Sequence, residues 1–328
     1  MKNLFINNKI KKSEFLDGVK AKYEEATYEL YKKLLFKIDE FETYKGISAI
    51  SMTKGDFLEL LTSLNSTSLS VLYTYKSLIS NYLVFITDTS RFKIGLLELN
   101  KITKEDLEDC INTRAEERQF ITEEEYYELL EDAEDGKFNG NYQDKLILVL
   151  LWNKIKGERS YSEILDIKED DIDFDNNTIN LADRQVEITD FEMEIVKKAI
   201  FEKKYVKTTV NKDHTITRSE MDYVVTDYLV KSTAGSRNAN VDTDKCPYST
   251  LANRMSRYFN IVLKRSELTG LKVYKSSIYY YMILEYGRIL TTSELQEYLS
   301  KHNLKLSLSS SYREQEIMYN KLVEQGLL

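Results

Sequence analysis

The spacing of apolar positions predicts a helical N-terminal region followed by a mixed remainder. Between residues 13 and 45, Phe15, Val19, Tyr23, Tyr28, Leu30, Leu34, Leu35, Ile38 and Phe41 recur mostly every three or four positions. That period predicts one long amphipathic helix, ended by Gly46. A second helix is expected over Lys54 to Leu64, with Phe57, Leu58, Leu60, Leu61 and Leu64 inward. A third begins at the cluster Ser66 to Ser68, whose hydroxyls suit a helix cap, and carries Leu69, Leu72, Tyr75, Ile79, Tyr82, Leu83 and Ile86. Shorter helical segments near Leu96 to Ile102 and Lys104 to Ile111 complete an α-helical domain over residues 1–111. The polar run Asn112 to Gln119 lacks apolar periodicity and reads as a linker, leaving 120–328 as the second domain.

The second domain opens with a helix capped by Thr122, with Glu125 in the capping-box position and Tyr126, Leu129 and Leu130 inward. It is expected to stop at Gly136, a structural turn read as a glycine with positive φ just past the helix end. The centre of the domain is an expected helix over 143–155, containing seven consecutive apolar residues from Leu146 to Trp152. Such a helix is too apolar for a surface. It delivers a basic, glycine-centred turn: Lys154, Lys156, Gly157 and Arg159. A short amphipathic segment follows, Ser162 to Ile167, then an acidic run and a strand from Thr178 to Leu181. Ala182 to Arg184 turn that strand back onto Gln185 to Ile188 as a hairpin. A helix is expected over Asp190 to Lys203, a strand or short helix over Tyr223 to Leu229, and a polar loop over Lys231 to Lys245. Helical patterns then cover 251–262, 275–286, 292–299 and 312–323. The expected fold is mainly α with a small β-sheet or hairpin, in two domains.

Composition adds little to that picture. The chain of 328 residues is 42% apolar and 30% charged, enough to bury proper cores. No apolar run approaches the roughly 18 to 20 residues that span a bilayer, and the N-terminus lacks a signal-peptide pattern. A protein of the bacterial cytoplasm and nucleoid, with no membrane partner, is expected. Cys110 and Cys246 read as separate reduced thiols; with only His214 and His302 a histidine zinc site is not expected, nor any cofactor.

Charge changes the picture more. The net charge of −8 argues against a nucleic-acid partner, but the distribution reverses that. Residues 101–136 hold 14 acids and 4 bases, and residues 163–194 hold 12 acids and 2 bases. Residues 251–275 hold 6 bases and one acid. Phosphate binding depends on which face presents the lysines and arginines. An acidic outer face and a basic inner face suit a protein that closes on duplex DNA.

The order of parts resembles the tyrosine recombinases, or phage integrases. Ser68, Val71, Tyr75, Ile79, Tyr82 and Phe85 are spaced like the helix of that family's core-binding domain that packs on DNA, with valine where threonine is usual. Ile121 to Glu125, the apolar helix, the Gly-x-Arg turn, Ser162 to Leu165, and Asp170 to Asp173 follow in the family's order. The resemblance covers most of residues 50–320. It implies an α-helical core-binding domain, a mixed α/β catalytic-like domain, and double-stranded DNA as partner.

The same resemblance locates where the chemistry departs. The family cleaves DNA with a tyrosine, while two arginines, a hairpin lysine and His or Trp residues stabilise the phosphoryl transition state. Arg159 lies four residues before Glu163, where the family has three; strict register places Ser160 there. The hairpin lysine has no counterpart, Arg184 being the nearest base. The family's His-x-x-Arg box falls on Val273 to Ser276, ahead of Gly287, leaving valine for histidine and serine for arginine. His302 resembles the late histidine, and Tyr312 falls about one residue from the nucleophile's place. The expectation is therefore a DNA binder without recombinase activity, a prophage repressor that holds operators and maintains lysogeny. The DNA-binding candidates are Lys76, Lys154, Lys156, Arg159, Arg184, Arg254, Arg257, Lys264, Arg265, Lys272, Tyr274, Lys275, His302, Tyr312 and Arg313. The alternative is an active divergent recombinase using Arg159, His302 and Tyr312. An anti-repressor or other regulatory protein, and self-association through the tail 313–328, are further expected partners.

Overall fold

The long helix expected over 13–45 is two helices in the computed structural model, α1 (Lys9–Lys22) and α2 (Glu25–Lys45). Residues 9–87, 94–132, 141–157, 161–211, 215–233, 245–308 and 311–328 are described. The chain divides into two units, Met1–Glu116 and Glu117–Leu328.

In the first unit α1 folds back on α2, burying Phe15, Leu16 and Val19 with Tyr31, Leu34, Leu35 and Ile38. Neither glycine nor proline marks the break at Glu24, and the apolar period runs through it, so spacing cannot reveal it. One polar residue fixes the pairing. Lys12, fully buried, donates to Asp39 at 2.6 Å and Glu42 at 2.5 Å, so its charge is paired inside the bundle. Helix α3 (Lys54–Ser63) starts with a reciprocal Thr53–Asp56 capping box. Then come α4 (Leu69–Thr87), α5 (Ile94–Asn100), α6 (Lys104–Asp109) and α7 (Thr113–Glu117). Helix α7 occupies the stretch read as a linker. Asn112 caps it, its side-chain oxygen accepting from the Ala115 amide at 3.1 Å. A five-residue helix is too short to register as periodicity.

The second unit contains α8 (Glu123–Asp132), α9 (Tyr142–Trp152), α10 (Ser162–Asp166) and α11 (Asp190–Phe201). Helix α12 (Tyr248–Arg257) runs into a π-helical turn, Tyr258–Val262, and is followed by α13 (Gly270–Tyr286), α14 (Thr292–Lys301) and α15 (Ser311–Glu324). The expected hairpin exists as β2 (Thr178–Asn180) and β3 (Gln185–Glu187), and β1 (Ile172–Asp173) extends it to a three-stranded antiparallel sheet. A second hairpin, β4 (Lys204–Val210) and β5 (Ile216–Asp222), was not anticipated. Tyr223 to Leu229 is neither strand nor helix; isolated bridges hold Tyr223 to Thr233 and Tyr228 to Lys168. This is the mainly α fold with small antiparallel sheets, in two units, that the resemblance implies.

Helix α9 is the axis of this unit. Leu146 to Trp152 are all buried, and the helix packs on α11, α12 and α13. Each such side chain contributes about 1.5–3 kcal/mol on burial, as an upper estimate. Trp152 stacks on Tyr126 of α8 with ring centroids 4.6 Å apart and planes 9° from parallel. Gln143, fully buried, donates to the Ala199 and Leu229 carbonyls and accepts from the Lys231 amide. The tail folds in cis: Ile317, Met318 and Leu322 are buried, and Lys321 donates to Glu125 and the Phe120 carbonyl. The apolar residues considered for self-association are thus largely used within this unit. Gly136 lies outside the described residues. Among those described, no helix is long and apolar enough to cross a membrane.

Candidate nucleic-acid interface

Helix α9 ends at the basic turn because Asn153 caps it, its side chain donating to the Val149 carbonyl and to Glu192. Lys154 then adopts a left-handed conformation, with φ of 62°. The turn is organised by one carboxylate. Glu163, at the start of α10, accepts from the backbone amides of Lys156 at 2.8 Å and Gly157 at 3.1 Å. It also receives both guanidinium nitrogens of Arg184, at 2.6 and 3.0 Å. Arg184 reaches on to the Lys154 carbonyl at 3.2 Å, tying the β2–β3 hairpin to the turn. Gly157 has φ of 80°, and a Cβ there would lie 2.5 Å from the Ser162 hydroxyl and 2.7 Å from the Glu163 amide. No other residue type fits that close approach.

The turn's two described lysines lie against aromatic rings. Lys154 Nζ is 4.4 Å from the Tyr281 centroid, and Lys156 Nζ is 5.3 Å from that of Tyr274. Burial pushes both ammonium pKa values down. His302, exposed at the end of α14, packs on Tyr298 with centroids 4.5 Å apart and the ring planes tilted by 43°. Burial, Lys301 and Lys154 hold its pKa below the usual histidine range against the opposing Glu285. Asn303, with φ of 51°, donates to Asp183 in the hairpin turn. Tyr274 is buried, and its hydroxyl is hydrogen-bonded to the Lys305 backbone. Beside the turn lies an open cavity of about 580 Å³ whose lining includes Gly157, Arg184, Tyr274 and Lys305 and the acids Glu163, Asp166, Asp171 and Asp183. Pairwise contacts link the candidates around the turn: Arg184 to the Lys154 carbonyl, Lys156 to the Tyr274 ring, and Lys154 to His302 through its charge. Arg159, next along the chain, lies outside the described residues.

The other candidates are spent differently. Arg254 is 3% exposed, bonded to Asp144 at 2.9–3.0 Å and to the Lys231 carbonyl at 2.8 Å, and placed over Tyr205 and Tyr223. Lys275, 6% exposed, gives its ammonium to Glu314 at 2.7 and 2.8 Å. Neither presents a charge to a partner, which corrects their assignment to a DNA-facing patch. Lys272 also bonds Glu314, at 3.0 Å, and covers Phe120. Arg265 holds Glu267 and the Arg118 carbonyl, and Lys76 the Ile102 carbonyl. Arg257 donates to the Tyr205 hydroxyl. Lys264 is exposed, Arg313 half-buried, and Tyr312 is 64% exposed at the start of α15. The physical reason for the corrections is that counting bases omits the acids brought to them. Asp144 lies 110 residues from Arg254 and Glu314 lies 39 from Lys275. Glu163, which organises the turn, is not among the candidates that the sequence singles out. Nothing local sets it apart from Glu158 and Asp166, the acids on either side of it.

Glu314 also gives this region an acid sensitivity. Burial alone raises its carboxyl, but Lys272 and Lys275 outweigh that and hold it below 4.5. A depressed carboxylate contributes stability that is complete above its unfolded pKa and is lost as pH falls through the folded one. Unfolding free energy measured from pH 7 to pH 3 is expected to decline below about 4.5. In Glu314→Gln that decline should be shallower; an unchanged slope would show that Glu314 is not its source.

Residues 120–325 match the family model described as MrpR, C-terminal catalytic domain, and the chain belongs to that family. Among solved structures it is similar to the crystal structure of XerA recombinase, at 14% identity and a TM-score of 0.35 over 96% of each chain. A likeness of that strength positions no residue here. No curated protein matches the chain.

Proposed function

We propose that the chain is a sequence-specific double-stranded-DNA binder that represses transcription of a prophage and does not cut the DNA it holds. In this reading it is a master repressor of an SPβ-like prophage, working in the host cytoplasm on a tyrosine-recombinase-like scaffold. The observation that carries the loss of cleavage is Ser276. It stands where the resemblance puts a phosphate-holding arginine, is fully buried, donates its hydroxyl to the Lys272 carbonyl and accepts from the Ile121 amide. Val273, in the histidine position, is also fully buried. Losing one donor to a transition-state oxyanion costs about 10²–10³ in rate, and this chain lacks two such groups. The word catalytic in the family's description is the family's; the box in this chain has neither the histidine nor the arginine, and its Lys275 is held by Glu314. DNA binding is supported by the turn that Glu163 holds open, with Lys154 and Lys156 beside it. Release from operators then falls to a regulatory protein acting as anti-repressor.

The rival reading, an active divergent recombinase, is favoured by the exposure of Tyr312 and His302. One experiment separates them. Gel retardation on tiled prophage duplexes should give specific complexes whose affinity falls steeply with salt, about 0.9 log unit per log unit of salt for each phosphate neutralised. A nicked suicide duplex should give no covalent adduct. An adduct lost in Tyr312→Phe would overturn the proposal in favour of the recombinase, and salt-indifferent binding would remove the basic turn from it.

A further inference from the structure

The β4–β5 hairpin projects a two-stranded ribbon whose outer half has a composition unlike the rest of this acidic chain. Its register pairs Lys207 with Ser219, Thr208 with Arg218, Thr209 with Thr217, and Val210 with Ile216. The acids Glu220 and Asp222 sit at the base, where Glu220 accepts from Lys204 at 2.8 Å. Beyond Glu220, the described residues of both strands carry two bases, Lys207 and Arg218, and no acid. They also carry Thr209, Thr217 and Ser219, all exposed, and Asn211 and Thr215 exposed beside the tip. Residues 212–214 lie outside the described residues and take no part here.

A two-stranded ribbon is marginal by itself, so this one is held at its root. Asn141, capping α9, accepts from the Val206 amide at 2.6 Å and donates to the Val206 carbonyl at 3.2 Å. Tyr205 is buried against Tyr223, with centroids 6.0 Å apart. The Arg254–Asp144 pair lies against those rings. The root is packed and hydrogen-bonded, and β5 is exposed along its length apart from half-buried Met221. Seven residues reach about 23 Å, and two strands are about 5 Å apart. A ribbon of that width enters the major groove of duplex DNA.

We infer that the outer half of the β4–β5 ribbon is a DNA-reading element, seated in the major groove. By the register, Thr209 and Thr217 share one face of the ribbon with Lys207 and Ser219, so their hydroxyls face the base edges together; Lys207 on that face and Arg218 on the opposite one reach the phosphates at the groove walls. Hydroxyls donate and accept, and a threonine methyl packs on the thymine methyl, so this side-chain set discriminates among bases. The two cations supply position and salt dependence. This rests on the DNA-binding reading above and adds a contact which that reading does not contain.

The test uses the full chain on tiled prophage duplexes, with calf-thymus DNA as the non-specific probe. Lys207→Ala/Arg218→Ala should lower affinity for the retained duplex by about tenfold or more and reduce the salt slope by about two. Thr209→Ala/Thr217→Ala should lower the ratio of specific to non-specific affinity, with the larger loss on the retained duplex. As a check that does not depend on these variants folding, a photocrosslinker is placed on Thr217→Cys. Cys110 and Cys246 are 4% and 2% exposed, so labelling is selective. Crosslinking to the duplex is expected. If wild type binds DNA but the lysine–arginine variant keeps its affinity and slope, or the crosslinker captures a second copy of the chain instead of DNA, the ribbon proposal fails alone. If wild type retains no duplex, the DNA-binding reading fails with it.

Discussion

Asp144→Ala should lower the unfolding free energy of the second unit by about 3–5 kcal/mol, the cost of leaving a buried charge without its partner. Asp144 and Arg254 have side chains only 4% and 3% exposed. Remove the carboxylate, and the guanidinium stays between Tyr205, Tyr223 and the Lys231 carbonyl, with no route to water that keeps α9 and α12 packed. The ion pair itself need not be stabilising, because both groups lost their hydration on burial. Asp144→Leu/Arg254→Met should therefore recover most of the loss. The readout is direct: the chain has one tryptophan, Trp152, in this unit's core, so its fluorescence follows this unit's unfolding in urea. A melting temperature lower by roughly 10 °C is the corresponding thermal result. A single variant as stable as wild type would mean that the pair does not hold α12 to α9.

That pair also shows what a one-dimensional reading can and cannot reach. Helix α9 was legible because seven apolar residues in a row have only one solution, burial on all sides. Capping boxes were legible because both members lie within three residues, as at Thr122 and Glu125. The β2–β3 hairpin was legible from its short turn. The β4–β5 hairpin was not, because a ribbon solvated on most of its surface has no apolar alternation; only Tyr205 and Thr208 of β4 are buried, three residues apart. The break between α1 and α2 was hidden because both helices turn the same apolar stripe toward each other. The candidate site divides the same way. Local sequence gave the basic turn and Tyr274, whereas the fates of Arg254, Lys272 and Lys275 depended on acids far along the chain. A base on a helix face is exposed or buried according to what packs there, and composition does not contain that.

Glu163→Ala should be the most damaging single change for DNA affinity among the described residues of the turn, weakening operator binding by about a hundredfold or more. Each charge-assisted hydrogen bond contributes roughly 1.5–3 kcal/mol. This carboxylate accepts four: two from the turn amides of Lys156 and Gly157, two from Arg184. Without it the amides that set the turn have no acceptor, and Gly157, already at φ of 80°, has nothing to keep it there. Lys154 and Lys156 remain in the sequence but are no longer fixed in place, so the ordering they lack must be supplied on binding. A simple charge argument predicts the opposite. Deleting an acid and freeing Arg184 raises the local positive charge, which should tighten a purely electrostatic complex. Affinity measured at two salt concentrations separates the two arguments. Loss of specific affinity with an unchanged or steeper salt slope is the signature of a turn that has lost its shape; tighter binding would show that Glu163 only screens the turn. Glu163→Ala/Arg184→Ala completes the argument. Removing the guanidinium, left with Asp183 and the Lys154 carbonyl as partners, should leave operator affinity as low as in the single variant, because the amides of Lys156 and Gly157 still lack their acceptor.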